Sequence, residues 1–129
     1  MPVARNHMST ELLTVDPSAP VTEVAKRMVA KDVGAVLVFE EGAICGILTE
    51  RDVLRAVATG GVEGTHVAAW MTRDPETVDV SESTGQAAAV MIHGGFRHLP
   101  VMDGGKPVGI VSIRDLMRVV VDDESPRGV

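Results

Sequence analysis

The stretch GILTERD, from Gly46 to Asp52, returns 63 residues later as GIVSIRD, from Gly109 to Asp115. The same offset aligns TVDPSAPVTEVAKRMV, which begins at Thr14, with TVDVSESTGQAAAVMI, which begins at Thr77. The alignment needs no gap, and chance does not place so many identities at one offset. The 129-residue chain is therefore a tandem duplication, and its fold must be built from two similar units.

Each copy predicts the same succession of elements, and we divide the chain into residues 1–62 and 63–129. A short extended piece comes first, and apolar residues at helical spacing then predict an amphipathic helix. Two short apolar runs around a glycine-bearing turn predict a β-hairpin, and a second helix follows it. In the first copy these elements are Thr14-Val15, the helix carrying Val21, Val24, Ala25, Met28 and Val29, the strands Ala35–Phe39 and Ile44–Leu48, and a helix from about Asp52.

The second copy matches it with Thr84, Ala87, Ala88, Met91 and Ile92 on its first helix, strands His98–Met102 and Pro107–Val111, and a helix from about Asp115. We therefore predict an α+β fold made of two β-α-β-β-α repeats. A unit of this size buries little core alone, so we expect the copies to pack about a pseudo-two-fold axis. The linker candidates are residues 59–65 and an acidic tail from Asp122.

Composition limits the classes of function. The net charge is −6, which argues against a broad surface for nucleic acid or anionic membrane. Hydrophobic residues make up 45% of the chain but aromatic residues only 2%, so few rings could stack on bases. The single Cys45 cannot form an internal disulfide, and its place on a predicted strand indicates a small buried hydrophobic residue. No apolar signal core or membrane-span length occurs, so we expect a soluble cytoplasmic protein.

The repeated motif resembles the closing signature of cystathionine-β-synthase-type (CBS) domains, in which a glycine, two apolar residues and Ser or Thr precede two variable residues and Asp. Trp70-Met71-Thr72 and the segment from Arg97 to Val101 also resemble this family. The resemblance runs from about Val3 to Val121. It implies a free-standing CBS pair, or Bateman module, whose ligand sites lie in the cleft between the two copies.

The resemblance also implies the kind of ligand. Related modules bind adenosine-containing molecules, so AMP, ADP or ATP is the expected ligand, with S-adenosylmethionine or NAD as further candidates. It implies that Asp52 and Asp115 contact ribose and that Thr49 and Ser112 contact phosphate. Nothing in the sequence predicts a required cofactor, and the His residues and Cys45 lack metal-ligand spacing.

The spacing itself is open to two interpretations. A Ser or Thr with an acidic residue three positions on is a capping box, which needs no ligand and which sequence physics alone favours. The same geometry offers free amides and a hydroxyl to a phosphate, and a carboxylate to ribose hydroxyls. Arg51 and Arg114 precede the acids; they are either solvated surface charges or additional phosphate contacts.

The family places the first strand of one copy against the motif of the other. We therefore expect Phe96, Arg97 and His98 to face Thr49 and Asp52, and Val33, Gly34 and Ala35 to face Ser112 and Asp115. Arg97 would clamp a phosphate and His98 would add a donor, so the first crevice is expected to bind phosphates more tightly. His98 is otherwise a strand residue with backbone partners. The candidates for an apolar adenine slot are Val33, Ile47, Phe96, Ile110, Leu13, Met8 and Met71.

Three classes of function remain, and the first is the one that we favour. It is a non-catalytic regulatory module that binds an adenosyl ligand and signals to an effector protein. The second is a structural or protein-interaction homodimer with no physiological small ligand. The third is a small enzyme, for which no acid–base constellation is evident. For the first two classes we expect a homodimer through the last helix of each copy, with interface candidates Val53, Leu54, Val57, Leu116, Met117 and Val120.

Overall fold

The computed structural model describes residues 2–124, and its elements follow the duplicated order. Two short 3₁₀ helices, Ala4–Asn6 and Val67–Ala69, each precede one β-α-β-β-α series. The first series is β1 (Thr14–Val15), α1 (Val21–Lys31), β2 (Ala35–Glu40), β3 (Ala43–Thr49) and α2 (Glu50–Ala58). After β4 (Thr72–Arg73), the second is β5 (Val78–Asp79), α3 (Thr84–Gly94), β6 (His98–Asp103), β7 (Lys106–Ser112) and α4 (Ile113–Glu124).

Both predicted hairpins are present, and the α+β prediction is confirmed. β2 pairs with β3 and β6 with β7 in antiparallel register, while β1 and β5 add to β2 and β6 in parallel. Each hairpin has a register shift at a matched place, after Val38 in β2 and after Val101 in β6. The second helix of each copy begins two residues before the predicted Asp. Thr49 and Ser112 are the residues that immediately precede these helices.

The residues form two compact units whose division differs from that of the sequence copies. Residues 11–75 make one unit, whereas residues 2–10 join residues 76–124 in the other. Each copy's leading segment thus packs with the other copy's helices and strands. The division of the sequence into residues 1–62 and 63–129 follows the repeat and stays a prediction, while the compact units divide the described residues differently.

The same pairing holds each leading segment in place. Thr72 of β4 pairs with Ile47 of β3. Ser9 and Ile110, which hold the matching places in the other copy, pair in the same way. His66 bridges Pro20 in the first of these units, and Val3 bridges Ser83 in the other. In both units the leading segment covers the outer edge of the hairpin, which otherwise leaves backbone groups unpaired.

Each unit has its own aliphatic core beneath the hairpin. The unit of residues 11–75 buries Leu13, Val15, Val24, Met28, Val36, Val38, Leu48 and Val67. The other unit buries Ala4, Val78, Val80, Ala87, Met91, Leu99, Val101, Val111 and Leu116. Val24 and Met28 of α1, and Ala87 and Met91 of α3, therefore lie in the cores as predicted. The last residue of the predicted apolar face does not, since Val29 is 82% and Ile92 70% exposed.

The last helices also correct an expectation. Val53 packs against the core of its unit and Leu116 is buried, so these two residues are not available as interface positions. Leu54, Val57 and Met117 are exposed, while the side chain of Val120 lies outside what the structure describes. α4 continues to Glu124, into the stretch expected to be a tail, and residues 125–129 lie outside the described part. Over residues 2–124, no helix combines the length and apolarity that crossing a membrane requires.

Candidate functional site

The N-terminus of α2 carries a complete capping box, as the spacing predicted. The Thr49 hydroxyl accepts a hydrogen bond from the Asp52 amide at 3.4 Å, and the Thr49 amide donates to Oδ2 of Asp52 at 2.9 Å. The Thr49 hydroxyl also donates to that oxygen at 3.1 Å. These bonds hold the carboxylate at the N-terminus of α2, where the helix dipole favours negative charge. The Asp52 side chain is only 7% exposed.

The N-terminus of α4 repeats the arrangement with Ser in place of Thr. The Asp115 amide donates to the Ser112 hydroxyl at 3.0 Å, and the Ser112 amide donates to Oδ2 of Asp115 at 2.9 Å. The Asp115 side chain is 23% exposed, three times the exposure of Asp52. The two motifs are therefore alike in their capping bonds and different in access to their carboxylates.

The first strand of each hairpin lies against the motif of the same copy. Ala35 pairs with Thr49 and His98 with Ser112. One residue earlier, the carbonyl of Gly34 accepts from the Glu50 amide, and that of Arg97 accepts from the Ile113 amide, both at 2.9 Å. The structure thus gathers Val33, Gly34 and Ala35 near Thr49 and Asp52, and gathers Phe96, Arg97 and His98 near Ser112 and Asp115.

The first backbone amide of each of these two helices already has a hydrogen-bond partner. Glu50 and Ile113, the first residues of α2 and α4, donate to backbone carbonyls and so are not free for an anion. The hydroxyls and carboxylates of the two motifs are polar groups that a ligand could contact. Arg51 and Arg114 are exposed, and so is Arg97, which places a cation beside the Ser112 motif that Gly34 cannot supply beside the Thr49 motif.

An arginine one turn after each acid completes the arrangement. Nη2 of Arg55 lies 2.6 Å from Oδ1 of Asp52, whereas Nη1 of Arg118 lies 3.9 Å from Oδ1 of Asp115. Neither arginine was among the predicted site residues. Their signal was present in the sequence, because both copies place Arg three positions after the acid, which is ion-pair spacing on a helix.

The CBS-domain family model matches the chain twice, over residues 4–59 and 67–122. The chain belongs to the CBS-domain family. Two CBS repeats therefore account for nearly the whole sequence, and the motifs at Thr49 and Ser112 are the same position of the two repeats. Each family match also contains the leading segment that precedes its repeat in the chain, although that segment packs in the other compact unit.

Individual CBS proteins resemble the whole chain. The CBS domain-containing protein YhcV of Bacillus subtilis is 33% identical over 126 residues, which are 97% of this chain and 90% of YhcV. The crystal structure of a CBS-domain-containing protein from Agrobacterium tumefaciens is 31% identical, with a TM-score of 0.82 and 92% of both chains covered. The Arabidopsis thaliana CBS-pair protein CBSX2, in a crystal structure with AMP, is 25% identical with a TM-score of 0.79; 96% of this chain and 99% of CBSX2 are covered.

The apolar residues expected to form an adenine slot are partly committed to the CBS cores. Leu13, Ile47 and Ile110 are buried. The half-buried candidates each pack against the core of their own unit: Met8 and Phe96 in one, Val33 and Met71 in the other. The ring of Phe96 also lies over Gly94, so closely that a Cβ at that glycine would overlap it. These side chains therefore contribute to the cores of the two units.

Other chemistry is poorly represented in the described residues. Among the side chains that the structure describes, no three of His, Cys, Asp or Glu are placed to hold a metal ion. Cys45 is half-buried against the core of its unit, and burial, together with the charge of Glu40, raises the pKa of its thiol. A thiol with a raised pKa stays protonated at neutral pH and is a poor nucleophile.

Proposed function

We propose that this CBS pair is a non-catalytic regulatory module that binds an adenosine-containing ligand at the Ser/Thr-x-x-Asp motifs. The observation that carries the proposal is the duplicated capping pair at Thr49/Asp52 and at Ser112/Asp115, in a chain of the CBS family. In each copy the hydroxyl accepts from the amide of the Asp, and the carboxylate accepts from the amide of the Ser or Thr. The AMP complex of CBSX2 supports an adenosine ligand. AMP, ADP and ATP are the first candidates, and S-adenosylmethionine and NAD are the next.

The residues then take distinct roles. Asp52 and Asp115 accept hydrogen bonds from ribose hydroxyls, because an ionised carboxylate is an acceptor on both oxygens. Thr49 and Ser112 donate to a phosphate, and the guanidinium of Arg97 can bind two phosphate oxygens at once. Arg51 and Arg114 supply exposed positive charge nearby. His98 adds a donor, while Val33, Gly34, Ala35 and Phe96 line the path of the ligand.

The pairing across repeats that the family implies remains part of this proposal. Arg97 and His98 lie beside the Ser112 motif of their own copy. A further role for Phe96, Arg97 and His98 at the Thr49 motif, with tighter phosphate binding there, stays a prediction of the family resemblance. A neutral Gly34 on the opposite arrangement attracts an anion less than Arg97 does. Occupancy is then read by an effector protein, which requires that the ligand favour one of two states of the module.

Thermal unfolding with and without ligand tests the proposal. A ligand at 100 times its Kd adds about 2.7 kcal/mol to the free energy of unfolding, which raises Tm measurably. We expect a rise with at least one of AMP, ADP, ATP, S-adenosylmethionine and NAD, and a loss of that rise in the double variant Asp52→Asn/Asp115→Asn. Glu23→Gln, which removes one exposed charge on α1, is the control and retains the shift. Mass spectrometry of ligand carried through native purification identifies the molecule.

A second candidate function has its own observation. The capping bonds of Thr49 and Ser112 explain the motif without any ligand, and exposed aliphatic residues recur at matched places on the helices: Val29 and Ile92, Leu54 and Met117. This combination suits a structural or interaction homodimer. Melting curves that no adenosyl ligand moves would favour it. A homodimer is compatible with the first function as well, and a cytoplasmic location stays a prediction for both.

A further inference from the structure

Arg55 and Arg118 extend the repeated motif by one helical turn, and the structure shows that the two copies use the arginine differently. The Arg55 guanidinium makes a hydrogen-bonded ion pair with Oδ1 of Asp52 at 2.6 Å. At the matched place, Arg118 is 3.9 Å from Oδ1 of Asp115, which is too far for a hydrogen bond. Sequence identity at these positions therefore hides a difference in geometry.

The difference matters because a carboxylate has a limited capacity to accept hydrogen bonds, about four lone-pair sites in all. Asp52 already accepts from the Thr49 amide, the Thr49 hydroxyl and Arg55. It can take one further donor at most, whereas the two neighbouring hydroxyls of a ribose supply two. A ribose at Asp52 must therefore displace a bond, and the charge-assisted bond from Arg55 competes with it for Oδ1.

Asp115 does not face this competition from its arginine. Oδ1 of Asp115 has no Arg118 nitrogen in hydrogen-bonding range, and the side chain is more exposed than that of Asp52. Its Oδ2 accepts from the Ser112 amide, as Oδ2 of Asp52 does from Thr49. The carboxylate is thus held in the same orientation, with one oxygen that the guanidinium leaves open.

We propose that Arg55 is a positioning residue that restrains Asp52, so that the two repeats are unequal and an uncharged nucleoside diol binds first at Asp115. This inference rests on the proposed function, since it concerns the ribose contact of the same motifs. It differs from the predicted phosphate preference of the Thr49 motif, because it concerns the sugar hydroxyls and not the phosphate. The module would then carry one site selected by a nucleoside and another selected by a phosphate.

Adenosine is the probe that isolates this effect, because it has the diol and no phosphate for the arginines to attract. We expect Asp52→Asn to retain the adenosine Kd of the unaltered protein within about twofold and Asp115→Asn to weaken it by about tenfold, the loss expected for a charged hydrogen-bond acceptor. On the Asp115→Asn background, Arg55→Gln should tighten adenosine by about fivefold by freeing Asp52. Arg118→Gln on the Asp52→Asn background is the matched control and should change the Kd by less than about twofold.

Two further readouts separate this role from a merely structural one. On the Asp115→Asn background, Arg55→Gln should strengthen adenosine more than 2′-deoxyadenosine, because only the former has the second hydroxyl. On the same background, Arg55→Lys keeps a cation beside Asp52. It should therefore bind adenosine nearly as weakly as the protein that retains Arg55. A general loosening of the fold would move both nucleosides alike and would not respond to lysine.

The unaltered protein gives an answer even where a variant does not fold. In an amide NMR titration with adenosine, the signals of Ser112 and Asp115 should shift at lower concentration than those of Thr49 and Asp52. Simultaneous shifts, the reverse order, equal losses from the two Asp→Asn variants, or AMP binding without adenosine binding would each overturn the inference and leave the proposed function standing. A protein that binds none of the adenosyl ligands would instead overturn the proposed function, and the inference with it.

Discussion

Ser9 and Ile110 exchange two backbone hydrogen bonds, with the Ser9 amide donating at 2.8 Å and the Ile110 amide at 2.9 Å. These residues are about 100 positions apart in the chain, so the leading segment is a structural part of the second repeat's hairpin. Ala4, in the same segment, is fully buried in that unit's core. A change in residues 2–10 should therefore alter the stability of the hairpin formed by β6 and β7.

Removal of residues 2–10 tests this relationship. We expect the amide of Ile110 to lose protection from hydrogen exchange by at least about tenfold, because its acceptor and the buried Ala4 are gone. Amides of β3, such as that of Ile47, serve as the internal control and should keep their protection, since residues 66–73 cover that hairpin. Equal loss in β3 and β7 would contradict the division into units.

The capping box at α2 should contribute measurably to stability. Thr49→Ala removes the hydroxyl that accepts from the Asp52 amide and should lower the free energy of unfolding by about 1 kcal/mol. Thr49→Ser is the matched control, because Ser112 forms the same bond in the second repeat, and it should stay within about 0.5 kcal/mol of the unaltered protein. Urea unfolding without ligand measures both. An unchanged midpoint for Thr49→Ala would mean that the cap contributes nothing.

Gly46 and Gly109 are needed because the leading segment passes close over them. A Cβ at Gly46 would lie 2.6 Å from Sδ of Met71 and 3.0 Å from the carbonyl oxygen of Thr72. We expect Gly46→Ala and Gly109→Ala each to lower the free energy of unfolding by about 1–3 kcal/mol, as overpacked sites do. Gly85→Ala in α3 has open space around the new methyl. That control should be neutral or stabilise by up to about 1 kcal/mol. If Gly46→Ala and Gly109→Ala lowered the free energy of unfolding no more than this control, the close approach would be contradicted.

The pKa of Asp79 predicts how the stability of the protein changes at low pH. Hydrogen bonds from the Ser81 hydroxyl and amide, assisted by the charge of Arg5, lower the pKa of this carboxyl below its ordinary value. Since the folded pKa is the lower one, the stabilisation is present above the unfolded pKa, about 3.9. It is lost as pH falls through the folded value. Carboxyl NMR should show the pKa of Asp79 rising in Ser81→Ala.

Ser18→Ala is the control for that experiment, because Ser18 holds the matched place in the first repeat. It removes a hydroxyl from the other unit and should leave the pKa of Asp79 unchanged. A Ser81→Ala protein in which the pKa of Asp79 does not rise would contradict the assigned cause.

The homodimer prediction can be sharpened by the exposed helix residues. Leu54 is 66% and Met117 53% exposed at matched positions of α2 and α4. If these faces join two copies, Leu54→Glu and Met117→Glu should each raise the dimer Kd by at least about tenfold, because a charge is then buried against an apolar partner. Sedimentation measures the change. Gln86→Glu, on an exposed position of α3, adds the same charge as a control, and a monomeric unaltered protein would refute the dimer.

The sequence alone determined the duplication, the order of elements and the capping motifs. These features depend on local periodicity and on contacts three or four residues apart, which a linear pattern records directly. It also predicted Thr49, Asp52, Ser112 and Asp115 as the polar groups of interest, on their spacing and their resemblance to CBS domains. Their ligand roles and the pairing between repeats stay predictions.

Only the tertiary structure decided which residues those local elements would meet. Residues 2–10 pack with the later repeat because its hairpin edge needs a backbone partner, and no sequence period marks that exchange. Val53 and Leu116 turn to the cores while Val29 and Ile92 stay exposed, because helix orientation selects among apolar positions. Arg55 binds its aspartate closely and Arg118 does not, although both spacings are identical. Side-chain distance is set by the packing around a motif, and a repeat of letters cannot record it.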